Sequence, residues 1–271
     1  MLDALSTIQP RSKGRGVLSS KRRGTMSALD DLHQAGCLRV LFPRGGPALD
    51  AVLINTSGGV TGGDHIALSA QVGKNSALTI TTQAAERAYR AQPDETGEIT
   101  TDLIVENGAL LRWLPQELIL FEGSRLHRNL SVNLAPTARA LLVEPIVFGR
   151  VAMGETLTSI HFRDRIAINR GGTPLYIDGM FLSGDTSAHL SRMAVADGAT
   201  AMASAIYIAP DAAAHLHAVR ASLPPTGGAS LLACDTLVVR ILASDSYILR
   251  QSLIPILERL SNAPLPATWR L

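Results

Sequence analysis

Residues 55–65 read NTSGGVTGGDH, two glycine pairs followed by an acid and a histidine. Glycine-rich runs often cradle phosphates, so phosphate chemistry is the first possibility to weigh. A nucleotide P-loop needs a lysine and a hydroxyl after its last glycine, at the start of a helix. Here Asp64 follows Gly63, and a carboxylate repels phosphate. A dinucleotide loop needs Gly-x-Gly-x-x-Gly leading into a helix. The spacing of Gly58-Gly59 and Gly62-Gly63 differs, and the next segment alternates like a strand. The glycines therefore read as a turn between strands.

Other catalytic patterns fare no better. The chain has seven histidines but neither HExxH nor CxxC. His215 and His217 lie two apart on an expected helix, where they point in different directions. No tight metal site is expected. Ser57 lacks the leading glycine of a nucleophile elbow. The remaining polar candidates are Asp64, Gln83, Glu86, Glu144, Glu155 and Asp178. Glu144 stands out because it interrupts the apolar run ALLVEPIVF, where an unpaired carboxylate is costly. It needs a partner or a polar cavity. Asp64, Glu144 and Asp178 could also serve a carboxylate-dependent hydrolase on a stacked β fold. The scarcity of aromatic platforms, with only Trp113 and Trp269 as tryptophans, counts against sugar substrates.

The elements that must position these residues are mostly strands. From about Cys37 to Leu182, short alternating segments are separated by turn chemistry such as VGKNS, VENGA and LAPTA. Strands restart at Ala77, Ala109 and Ala140, at a nearly constant interval typical of stacked repeats. The expected fold is mostly β, helically stacked or wound strands, with about two α-helices in the C-terminal third. Those helices are expected near 211–223, with Asp211 as N-cap, and 245–260, bent at Pro255. Thr81–Ala91 is composed to favour one or two helical turns. Residues 1–24 carry six basic side chains against Asp3, net +5, which leaves −3 for the rest of a chain whose total is +2. This segment reads as a basic, disordered arm, and 25–271 as a single β-rich domain. A nucleic-acid-binding protein using that arm is an alternative, weakened by the lack of interleaved aromatics. No run of 18 apolar residues exists, and Cys37 and Cys234 read as buried thiols, outside any disulfide framework, of a cytoplasmic chain.

Five segments, LINTSGGVTGGDHIAL, ALTITTQAAERAYRA, LPQELILFEGSRLHRNLSVNLA, LLVEPIVFGRVAMGE and LPATWRL, resemble the urease accessory protein UreD (UreH) family, in order, from about residue 27 onward. The resemblance implies a scaffold, not an enzyme. It would bind apo-urease and recruit UreF and, through UreF, the GTPase UreG, and it leaves room for a dimer within the accessory complex. It implies no nucleic-acid or membrane partner, no tightly bound cofactor, and nickel in transit through an internal polar path. Asp64, Glu144 and Asp178 are the path candidates on this reading. Gly58, Gly59, Gly62, Gly63, Thr82, Gln83 and Tyr89 belong to the motifs. Trp269, in a short Pro-flanked tail, could anchor a partner or pin the tail to its own body.

Overall fold

The structure, a computed structural model, describes residues 9–270. The first strands are β1 (Lys13–Arg23), β2 (Met26–Gly36), β3 (Leu38–Leu41), β4 (Leu49–Asn55), β5 (His65–Val72) and β6 (Ala77–Thr82). Then come β7 (Glu86–Ala88), β8 (Gly97–Val105), β9 (Leu110–Leu114), β10 (Leu118–Leu120), β11 (Arg125–Leu134) and β12 (Arg139–Phe148). The C-terminal part holds β13 (Ile160–Arg170), β14 (Thr173–Gly184), α1 (Thr186–Leu190), β15 (Ala201–Ile208) and α2 (Ala212–Ser222). It ends with β16 (Gly227–Ala233), β17 (Thr236–Ala243) and α3 (Ser246–Ser261).

The strands form two sheets. Sheet I runs β14-β13-β11-β8-β5-β1-β2, and sheet II runs β16-β17-β15-β12-β9-β6-β4-β3. Between β4 and β13 the chain crosses from one sheet to the other at each step, so each coil adds a parallel strand to both. In sheet I, β5, β8, β11 and β13 pair in parallel, and in sheet II so do β4, β6, β9 and β12. This is the wound stack expected from the strand restarts. Ala77 pairs with Leu110, and Leu110 with Arg139, so successive coils start in register. Their turns stack as well. Asn75 N–H donates to Asn107 O at 3.1 Å, and Gly108 N–H to Thr137 Oγ1 at 2.9 Å. A short third strip, β7-β10-β12, covers one corner of the coil.

Alternation decides what each face buries. In β5, Ile66, Leu68, Ala70 and Val72 are buried while His65, Ala67, Ser69 and Gln71 are exposed. The inward rows of the two sheets meet in one core that includes Leu103, Leu126, Leu142, Phe162 and Ile168. A second core lies on the far side of sheet II. Leu141, Val143 and the fully buried β15 pack there against Val219 of α2 and Leu249, Leu253 and Leu257 of α3. Burying each such leucine contributes about 1.5–3 kcal/mol, so sheet II is stabilised by apolar packing on both of its faces. Asp245 caps α3 by accepting from Ile248 N–H at 2.8 Å. Asp211 precedes α2 but turns its carboxylate to the Tyr207 hydroxyl, at 2.8 Å, instead of an α2 amide.

Three expectations change. The basic segment is no free arm over residues 13–23: it is β1, antiparallel to β2 and parallel to β5. Its residues 1–8 lie outside the described residues. Its inward positions are Gly14, Gly16, Leu18 and Ser20, of which Leu18 alone is a large apolar residue, too few to give a hydrophobic period, while the basic residues Arg15 and Lys21 face out. Thr81–Ala91 forms no helix. It ends β6, bends, and becomes β7, because Gln83 N–H bonds Leu53 O and Glu86 N–H bonds Glu117 O on neighbouring coils. A short helix, α1, joins the two expected ones. Cys37 and Cys234 are unpaired, the first half-buried and the second exposed.

Candidate functional site

The inward row of β11 reads Leu126, Arg128, Leu130, Val132, Leu134, and that of β13 reads Ile160, Phe162, Asp164, Ile166, Ile168. In β12 the row facing sheet I is Leu142, Glu144, Ile146, Phe148. A period of two thus sets one charged residue among aliphatic ones on each of three strands. The fold brings these three together. Arg128 Nη1 lies 2.6 Å from Glu144 Oε2. Its Nε and Nη2 hold Asp164 with two bonds, at 2.9 and 2.6 Å. The Trp113 indole N–H donates to Glu144 Oε1 at 2.7 Å. All three charged residues are less than 10% exposed.

One guanidinium faces two carboxylates, a formal charge of −1 when both are ionised. Burial pushes the Glu144 carboxyl above the ordinary carboxylate range; Arg128 opposes this, Asp164 adds to it, and the Trp113 hydrogen bond opposes it. Arg128 loses proton affinity to burial but gains more from Asp164 and Glu144, so it stays charged. The cluster is a buried node in which Arg128 stays charged and burial pushes Glu144 toward its neutral form.

Cavities lie on both sides of it. The larger, about 290 Å³, is bordered by Trp113, Arg128 and Glu144 and by Thr82, Glu86 and Gln116. The smaller, about 100 Å³, is bordered by Glu144, Asp164, Asp178, Ser204 and Arg240. Glu144 belongs to both walls, and the Arg128 cluster partitions the space. Along the larger cavity, Asn55 Nδ2 donates to Glu86 at 3.1 Å, and burial raises the Glu86 carboxyl. At the smaller one, Asp178 is ion-paired with Arg240 and accepts from the Tyr176 hydroxyl at 3.0 Å. Burial, with Asp178 adding to it, pushes Tyr176 up to about 12.

Among the sequence candidates, Glu144 and Asp178 therefore share a cavity wall, and Asp64 does not join them. Asp64 is buried, but Oδ1 accepts from Ser12 N–H at 2.6 Å and Oδ2 from Thr61 N–H at 2.9 Å. Its carboxylate is spent closing the glycine loop onto the start of β1, so it borders neither cavity. The loop itself is a crossover from β4 in sheet II to β5 in sheet I. Gly63 takes φ +81° there, and a Cβ on Gly59 would stand 2.3 Å from the Tyr89 ring. That close approach is what joins the two sequence motifs: Tyr89 donates to Gly58 O at 3.2 Å and meets Phe121 edge-on at 5.0 Å. Gly62 is backed by Ala91 and Glu95. Thr82 and Gln83 line the larger cavity, and Thr82 Oγ1 accepts from Gln116 N–H at 2.8 Å. Trp269 is 2% exposed and donates to Leu114 O at 2.9 Å. It pins the tail to its own body and offers no free anchor.

Sequence reasoning missed Arg128, Asp164 and Arg240. The signal for the first two was present as charges at inward positions of alternating strands. Among the described residues no group of three or more His, Cys, Asp or Glu side chains could hold a metal ion. None of their helices is long and apolar enough to cross a membrane.

Comparison with known proteins agrees with this architecture along its length. The sequence profile of the UreD urease accessory protein matches residues 12–270, which includes β1 and the Trp269 tail. The urease accessory protein UreD of Ruegeria sp. (strain TM1040) is 53% identical, over 97% of this chain and 91% of that protein. That of Roseobacter denitrificans is 50% identical over 100% of this chain and 99% of its own length. That of Sinorhizobium medicae is 42% identical over the full length of both. With the match running from the first strand to the last buried tryptophan, the chain belongs to the UreD urease accessory protein family.

Proposed function

We propose that the protein is a scaffold in maturation of the nickel centre of urease, binding apo-urease and recruiting UreF and, through it, the GTPase UreG, with an interior that gives nickel a polar path. As a member of the UreD family it has an accessory role in urease maturation. The observation that carries the finer reading is the position of Glu144, in the wall of both cavities and against the buried Arg128–Asp164 pair. A divalent cation entering either cavity meets carboxylate oxygens and few soft ligands. Such oxygens hold nickel weakly enough to let it go, whereas thiolates would retain it. Arg128 occupies the place between Glu144 and Asp164 that a cation would take, so passage requires the guanidinium to shift. Nickel here is cargo, not a resident cofactor, and the site of action is the cytoplasm. The cluster also favours a non-enzymatic role: both carboxylates face the same guanidinium and neither is free as a general base.

The scaffold reading is tested by co-expression of the tagged chain with UreF, UreG and the urease subunits, followed by affinity purification at moderate salt. Recovery of UreF and urease subunits with the chain is expected, and UreG only when UreF is present. Recovery of UreG without UreF, or of no urease subunit, contradicts it.

A further inference from the structure

On the outer face of sheet I, on the same two strands as the inward charge cluster but pointing to the opposite side, two histidines point at each other. His127 on β11 and His161 on β13 are diagonal neighbours on adjacent parallel strands: His127 is opposite Arg163, and His161 is opposite Arg125. Their Nε2 atoms are 3.4 Å apart, with ring centroids at 5.6 Å and planes tilted by 47°. Two imidazole nitrogens bound at about 2.1 Å to one tetrahedral cation stand about 3.4 Å apart. We propose that His127 and His161 form a two-histidine surface site for a borderline divalent cation such as Ni²⁺, Cu²⁺ or Zn²⁺, bridged between their Nε2 atoms.

Three features support the site beyond that distance. The ring of His161 is braced edge-on by Phe181 of β14, with centroids at 5.3 Å, so it does not swing freely. Both residues sit on paired strands of a continuous sheet, which fixes their backbones as loop residues would not be fixed. Neither ring is shut away from solvent, since both residues are half-buried, so a hydrated cation can reach the pair. The charged groups around the pair are Arg125 on its own strand, Arg163 on β13, and Glu98, which is opposite His127 on β8. Glu98 is shared with His65 Nδ1 at 3.2 Å. The arginines oppose a dication, and no third His, Cys, Asp or Glu completes the set among the described residues. The remaining coordination positions fall to water or to a donor from outside, so the site loads and unloads readily. Imidazole selects it against Mg²⁺ and Ca²⁺, which prefer oxygen. This inference rests on the outer-face geometry alone and is independent of the interior path.

The test is calorimetric titration of the purified full-length chain with NiCl₂, ZnCl₂ and MgCl₂, repeated on His127→Ala, His161→Ala and the double variant. One Ni²⁺ or Zn²⁺ per chain should disappear in the double variant. Each single variant should bind that ion about 10-fold or more weakly, at least the loss that outer-shell changes cause. Thermal melts of the variants should match the parent, because both side chains are on the solvent face. In parallel, ¹⁵N spectra of the imidazoles should show Zn²⁺ shifting Nε2 of both histidines together. An unchanged Ni²⁺ isotherm in the double variant, or a Zn²⁺ shift at only one ring, overturns the proposal and leaves a hydrogen-bonded histidine pair.

Discussion

Replacing Arg128 with methionine is expected to lower the unfolding free energy by about 3–5 kcal/mol, the usual result of removing one member of a buried ion pair. Glu144 and Asp164 would then be left within the core, with the Trp113 indole as the only donor among the described residues to either carboxylate. The attraction between Arg128 and its partners does not set the size of this loss. The cost of two uncompensated carboxylates does. The triple variant Arg128→Met/Glu144→Gln/Asp164→Asn should regain most of the loss, since it removes the charges together and keeps an acceptor for Trp113. Urea unfolding followed by circular dichroism checks both. A loss below about 1 kcal/mol in the single variant, the size of an exposed pair, would mean that water reaches the cluster and the partition between the cavities is already open.

Trp269→Ala should cost a comparable amount, about 3–5 kcal/mol, from lost packing and a large void. The indole fills the layer beneath α3, bonds Leu114 O, and lies 5.2 Å from the Arg250 guanidinium. Arg250 in turn donates to Gln116 Oε1 at 2.7 Å and pairs with Glu117 at 3.4 Å, so the tail, α3 and the wall of the larger cavity are joined through one side chain. Trp269→Phe should recover most of the packing and lose only the bond to Leu114, about 1–2 kcal/mol. Equilibrium unfolding of the two variants separates these contributions. Equal stability of Trp269→Ala and the parent would mean that the tail is undocked and free for a partner after all.

The wound architecture was legible because its signals are local and repeated. The restarts near Ala77, Ala109 and Ala140 mark real coil starts, and strands such as β5 alternate cleanly. β1 was hidden because glycine and serine fill three of its four inward positions, and the basic residues that suggested disorder are exposed along it. The segment after Thr82 was misread because helix propensity is weak, and the edges of neighbouring coils supply ready backbone partners. Of the site, Glu144 was legible from its apolar surroundings, since a carboxylate there must find a partner. Its partners Arg128 and Trp113 were not, because they come from strands 16 and 31 residues away whose pairing no local pattern specifies. Asp64 misled for the opposite reason. Its place after the glycines marked it as special, but what it serves is the closure of the loop by backbone amides.

The central claim is that nickel reaches urease past Glu144, and it is tested most directly by metal analysis of urease matured with the Glu144→Gln variant. Glutamine keeps the size of the side chain and an acceptor for Trp113 but removes the charge that both cavities share. With accessory complexes of unchanged composition and yield, nickel per urease active site should fall several-fold, and urease activity with it. Full nickel loading by that variant would contradict the account.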